Sequence, residues 1–221
     1  MLRMKDKVVL VTGGASGIGL SAAQLMAREG AKVVIADFNV NGAKEAAANI
    51  QAQGGEAVAV FLDAGDEFSI KEAVEFTVQQ YGKLTSLFNN VGLTNLKKDL
   101  DVVNVDLDEW DRLMNVNLTR YIATQYGKHN IRCNAVAPGL ILTPAAQNNM
   151  PPDVLDMFAK YNALPYHGEP DDIGYTVVFL ASDESKFITG QTIQVEGGHY
   201  IANPTVPDFE QFMKLHNTTN N

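Results

Sequence analysis

The run Thr12-Gly13-Gly14-Ala15-Ser16-Gly17-Ile18-Gly19 follows the apolar stretch Val8-Val9-Leu10-Val11 directly and opens the helical pattern Leu20–Arg28. A strand, a glycine turn and a helix N-terminus therefore stand in register. The next apolar run, Lys32–Ala36, ends on the acid Asp37. In such a unit one glycine permits the tight turn, one lets a pyrophosphate approach the backbone, and one allows the helix to pack close on the strand. The free N–H groups and positive dipole end of the helix then face the phosphates. An incidental glycine-rich turn would leave three small-residue positions unexplained, so the expectation is a dinucleotide site.

The rest of the chain alternates strand and helix patterns, as a parallel sheet covered on both faces requires. Helices are expected over Leu20–Arg28, Ala43–Gln53 and Glu67–Tyr81, with Gly30, Gly54-Gly55 and Gly82 as their stops. Strands are expected over Val8–Val11, Lys32–Ala36, Ala57–Leu62, Leu84–Phe88, Ile131–Val136 and Gln191–Val195. Asp108–Tyr126 reads as one long helix, with Trp110, Leu113, Met114, Leu118, Tyr121 and Ile122 at spacings of three and four. No repeat or linker interrupts the 221 residues, so residues 1–221 read as a single domain, frayed from about Leu215 onward.

A net charge of −9 argues against nucleic-acid or anionic-membrane partners. The lone Cys133 has no internal disulfide partner, and His129, His167, His199 and His216 lack metal-ligand spacing, so neither thiol nor zinc chemistry is expected. The opening residues run straight into a strand without an apolar leader, and no stretch reaches transmembrane length. A cytoplasmic compartment is the expectation.

At the end of the second strand Asp37 is placed to accept from both adenosine ribose hydroxyls, and it would repel a 2′-phosphate; this favours NAD over NADP. Asp63, ending the third strand, suits either the adenine amino group or the cap of the helix that starts near Asp66. Asn89-Asn90-Val91-Gly92 closes the fourth strand at the carboxyl edge, where open α/β sheets bind ligands. A plain turn would use the same residue types.

Thr12–Gly19 resembles the Thr-Gly-x-x-x-Gly-x-Gly turn of the short-chain dehydrogenase/reductase family, and Asn89–Gly92 resembles its Asn-Asn-Ala-Gly. Asn115-Val116-Asn117-Leu118 is similar to the start of the family's fifth helix. Ile131–Gly139 and Glu196-Gly197-Gly198 are similar to its late strand with a Pro-Gly turn and to the segment after its last strand. The resemblance implies a Rossmann-type, doubly wound α/β sheet, NAD, and interconversion of a secondary alcohol and a ketone. It implies that Gly13, Ser16, Gly17, Ile18 and Gly19 line the pyrophosphate and adenosine side, and that Asp37 and Asp63 select the adenosine. Asn90 would lie along the nicotinamide-side ribose, Gly92 would let the turn's backbone pass close to the cofactor, and Ile141 and Thr143 would hold the carboxamide. Asn117 would order a water in the proton relay; an Asn bridging backbone groups at a helix kink is the other reading.

The pattern then breaks. Family members carry a Ser on a fifth strand and Tyr-x-x-x-Lys on a sixth helix, where Lys lowers the tyrosine pKa and Ser polarises the carbonyl. Here no tyrosine has a lysine four positions on: Tyr121 meets Gln125, Tyr126 meets Asn130 and Tyr161 meets Pro165. About forty residues, one βα unit, are absent by comparison with the family pattern. Asn117 is the surviving catalytic candidate. Tyr121 and Tyr126, with Lys128 and His129 beyond them, read first as aromatics packed on the sheet. Two outcomes are open for the sheet: the strand Ile131–Val136 moves beside the fourth strand, or a gap remains. The family's dimer and tetramer contacts come from the helices concerned, so a homo-oligomer is expected only with an altered interface. Leu142–Gly168, broken by Pro144, Pro151 and Pro152, occupies the position of the family's substrate loop; a lid, a surface helix and an oligomer contact are all compatible.

Overall fold

The computed structural model describes residues 2–91, 119–120 and 122–199. Four parallel strands form the main sheet: β1 (Val8–Thr12), β2 (Lys32–Asp37), β3 (Glu56–Phe61) and β4 (Ser86–Phe88), in the order β3-β2-β1-β4. All five residues of β1 are buried, as a central strand covered on both faces should be. Three helices cross between these strands: α1 (Gly17–Arg28), α2 (Val40–Ala52) and α3 (Glu67–Tyr81). Val9, Val11, Val33 and Ile35 point to the face covered by α1 and α2, and Leu10 and Val34 to the face covered by α3. The sheet is doubly wound.

Beyond β4 come β5 (Ala135–Pro138), α4 (Pro144–Asn149), α5 (Pro152–Tyr161), α6 (Pro170–Ala181) and β6 (Thr192–Val195). β5 and β6 pair in parallel as a separate two-stranded sheet. Among the described residues nothing pairs with the outer edge of β4; β5 pairs with β6 instead, so the strand has not moved beside β4. Both sheets still share one core, because Phe88, Val136 and Val195 pack against the buried cluster of α1, α2 and α6.

Several element limits differ from the sequence expectation, each for a local reason. β5 starts at Ala135 because the preceding residues bond to a loop instead of a ladder. The Arg132 guanidinium donates to the carbonyls of Leu180, Ser182 and Ile188. The Cys133 N–H donates to Thr189 Oγ1 at 3.1 Å, and Asn134 is bonded to Ile188 and Gln191. α2 starts at Val40, three residues early, because Asn39 caps it by accepting from Gly42 N–H at 3.1 Å. α3 ends on Gly82 in the left-handed region, as expected. Of Asp108–Tyr126, only residues 119–120 and 122–126 fall among the described ones, and these are helical. Gly92, Asn117 and Tyr121 lie outside the described residues.

Candidate functional site

Parallel pairing brings the ends of β1, β2 and β4 to one edge, with Thr12 opposite Ala36 and Val11 opposite Phe88. The glycine turn leaves β1 here. Gly13, at φ +64°, donates its N–H to Ala36 O at 2.8 Å, which holds the turn over β2. Asn90 crosses from β4 and donates Nδ2–H to Gly13 O at 3.2 Å. Thr12 Oγ1 accepts from Asn90 N–H at 3.0 Å, joining the same two strand ends. The tightest point is Gly19, where a Cβ would stand 2.2 Å from Gly13 O and 2.7 Å from Asn90 Nδ2. Only glycine fits there. Ser16 precedes α1 in extended conformation and makes no side-chain cap, so the first-turn N–H groups of α1 are left for another acceptor.

Asp37 leaves β2 beside this turn. Its Oδ2 accepts from Ala15 N–H at 3.0 Å and its Oδ1 from Asn39 N–H at 2.8 Å. Each carboxylate oxygen keeps one further acceptor position. The next residue, Phe38, is 71% exposed, and its ring centroid lies 5.6 Å from that of Phe61 at the end of β3. This exposed pair was missed in the sequence, where Phe61 read as one more apolar strand residue.

For Asp63 the capping alternative is excluded. Asp66 caps α3 by accepting from Phe68 N–H at 3.0 Å, while Asp63 Oδ1 accepts from Gly65 N–H at 2.9 Å within its own turn.

After β5, Thr143 reaches the glycine turn, while Ile141 packs into the core and bridges Gly168. Ile141 is buried there, and its carbonyl accepts from Thr143 N–H at 2.7 Å. Thr143 caps α4, accepting from Ala146 N–H at 3.1 Å, and its Cγ2 lies 3.5 Å from where a Gly17 Cβ would be. Gly13, Ser16, Gly17, Ile18, Gly19, Asp37, Asn90 and Thr143 are thus brought to one edge, with Asp63 at the end of the neighbouring β3. In the sequence Thr143 carries only the carboxamide role that the family resemblance implies; its cap of α4 comes from the fold.

α5 lies against the turn after β6. Asn162 Oδ1 and His199 Nδ1 are 3.2 Å apart, Leu164 N–H donates to Gly197 O at 2.9 Å, and the Phe158 and His199 rings are 5.9 Å apart. Among the described residues no group of His, Cys, Asp and Glu could hold a metal, and no helix is long and apolar enough to cross a membrane.

A family model described as short chain dehydrogenase matches residues 7–124, and one described as Enoyl-(Acyl carrier protein) reductase matches residues 116–200. The chain is 38% identical to the 7alpha-hydroxysteroid dehydrogenase of Bacteroides fragilis, over 93% of this chain and 99% of that protein. It is 31% identical to the 3-oxoacyl-[acyl-carrier-protein] reductase FabG of Thermotoga maritima, over 90% and 100%. Among solved structures, a hydroxysteroid dehydrogenase from Escherichia coli superposes with a TM-score of 0.77 at 25% identity, covering 89% of this chain and 98% of that one. The alignment with the Bacteroides protein runs over 256 positions, while 93% of 221 residues is about 206. About fifty positions of that alignment therefore face no residue of this chain, close to the absent βα unit expected from the motifs.

Proposed function

This chain belongs to the short-chain dehydrogenase/reductase family, and on that premise we propose that it binds NAD and interconverts a secondary alcohol and a ketone. The observation that carries the cofactor reading is the bond from Ala15 N–H to the Asp37 carboxylate, which sets an acid beside the pyrophosphate turn. An acid there accepts from ribose hydroxyls and repels a 2′-phosphate. The Cβ-excluding approach at Gly19 supports the fit, since it lets α1 stand close under the turn. Gly13, Ser16, Gly17 and Ile18 would hold the pyrophosphate, and Asp63 the adenine edge. The exposed Phe38 offers the base a flat apolar surface. Asn90, Gly92, Ile141 and Thr143 would orient the nicotinamide end. The cofactor, when bound, supplies the hydride acceptor or donor; the protein orients it. The compartment is cytoplasmic.

A second reading rests on a specific observation. No Tyr-x-x-x-Lys exists in the chain, and an unassisted phenol, with pKa near 10, is a poor base at neutral pH. On this reading the chain binds NAD and does not turn over.

One experiment separates the two. NADH fluorescence titration is paired with a turnover screen over hydroxysteroids, other secondary alcohols and their ketones. Binding with turnover supports the oxidoreductase reading, and binding without it the silent one. Absence of binding removes both.

A further inference from the structure

The two halves of the site stand on different sheets. The glycine turn and α1 belong to the four-stranded sheet, whereas Ile141 and Thr143 follow β5 of the two-stranded one. Among the described residues no ladder joins them. A continuous sheet would hold both halves through its hydrogen-bond ladder. Here the beginning of α6 does that work. On one side Leu142 N–H donates to Gly168 O at 2.8 Å and Gly168 N–H to Leu140 O at 3.3 Å, so Gly168 forms a parallel bridge with Ile141. On the other side Asp171 Oδ1 accepts from Ser21 Oγ–H of α1 at 2.5 Å. Ser21 is buried and lies one helical turn beyond Gly17.

Between these tethers the backbone is stiff. Glu169 and Asp172 form a capping box, with Glu169 N–H donating to Asp172 Oδ2 at 2.8 Å. One turn on, Gly174 lets α6 lie directly on α1: a Cβ there would stand 2.6 Å from Leu25 Cδ1 and 3.1 Å from Ser21 Oγ.

We propose that Ser21, Asp171 and Gly174 are positioning residues, and that the segment from Gly168 to Gly174 is a clamp between the two halves of the dinucleotide site. The clamp sets the span between the pyrophosphate-binding start of α1 and the segment Ile141–Thr143. It rests on the dinucleotide reading above, but none of its three residues touches the ligand. A dinucleotide held at its pyrophosphate has a limited reach and is best held by groups already at the right span. An error in that span therefore costs the nicotinamide contacts while the adenosine and pyrophosphate contacts survive. The expected signature is therefore a change in preference between two ligands, which simple loss of folding would not give.

The test is calorimetric titration of the full chain with NADH and with ADP-ribose, for wild type, Ser21→Ala, Asp171→Asn and Gly174→Ala, with circular dichroism as the folding check. Wild type is expected to prefer NADH. Loss of a hydrogen bond to a charged group should cut that preference about tenfold in Ser21→Ala, with ADP-ribose affinity held within about twofold. Asp171→Asn and Gly174→Ala should move the preference the same way. Folded variants that keep the wild-type preference, or lose both ligands equally, overturn the clamp and leave the NAD reading standing. A wild type that binds ADP-ribose with no preference for NADH overturns the clamp as well. A wild type that binds neither overturns the NAD reading and the clamp with it.

Discussion

Asp37 and Ala15, twenty-two residues apart, are joined by a 3.0 Å hydrogen bond from the Ala15 N–H to the Asp37 carboxylate. The acid at the end of β2 thus shapes the glycine turn. Asp37→Ala removes both this bond and the one to Asn39. Bonds to a charged group contribute about 1.5–3 kcal/mol each, so NADH affinity should fall at least tenfold and the Tm should drop with it. Unchanged NADH affinity in a fluorescence titration would remove the NAD assignment.

Gly17 and Gly19 should respond differently to alanine. At Gly17 the space is open, with Thr143 Cγ2 at 3.5 Å, and the cost is the left-handed φ of +55° alone. Gly17→Ala should lose about 1–2 kcal/mol of stability and keep measurable NADH binding. At Gly19 the new Cβ would meet the Gly13 carbonyl at 2.2 Å, which is backbone and cannot rotate away. Gly19→Ala should open the turn and abolish binding. Urea melts and titrations of the two variants, run side by side, check the contrast.

The acid limb of stability should depend on the N-terminal ion pairs. Lys7 bonds Asp183 at 2.6 Å and Arg3 bonds Glu184 at 2.8 Å, and both carboxyl pKa values are held below their ordinary range by those partners. A depressed folded-state pKa contributes stability above the unfolded value and loses it as pH falls through the folded one. The loss should therefore fall below about pH 4, near and under the ordinary carboxyl values. Both acids are exposed, so the effect should be small and should shrink in high salt. Thermal melts of Asp183→Asn/Glu184→Gln between pH 7 and pH 3 should show a flatter acid limb than wild type.

Burial raises the Cys133 pKa above the ordinary thiol value, with a smaller opposing effect from a hydrogen bond with Thr119. The thiolate is the reactive form. Iodoacetamide should label the native chain slowly at pH 7.5 and faster as pH rises beyond the usual thiol range, as intact mass against time will show. Labelling at the rate of an unfolded control would contradict the half-buried placement.

Local structure was largely legible in advance. The strand–turn–helix unit at Val8–Arg28, the stop at Gly82 and the strand ending on Asp37 follow from apolar periodicity and from glycine's access to positive φ. Side-chain duties were less legible. Asn90 bonding Gly13, Thr143 capping α4 and Asp63 closing its own turn are choices among partners of equal chemistry, and only position in space selects one. The sequence pattern starts β5 at Ile131, four residues before the observed start, because it does not show that Arg132 and Asn134 hydrogen-bond Ile188 instead of a strand.

By itself the sequence determined the dinucleotide-type turn, the family, and the missing Tyr-x-x-x-Lys, because each is a matter of residue types at short fixed spacings. The tertiary structure alone decided how the chain accommodates the shortfall. β4 and β5 do not pair; both sheets share one core, and α6 packs along α1 with Ser21 and Asp171 bonded at 150 residues' separation. Such a contact has no local signature. A serine in a helix and an aspartate in a first turn are ordinary in isolation, and only the close approach permitted at Gly174 brings them within hydrogen-bond reach.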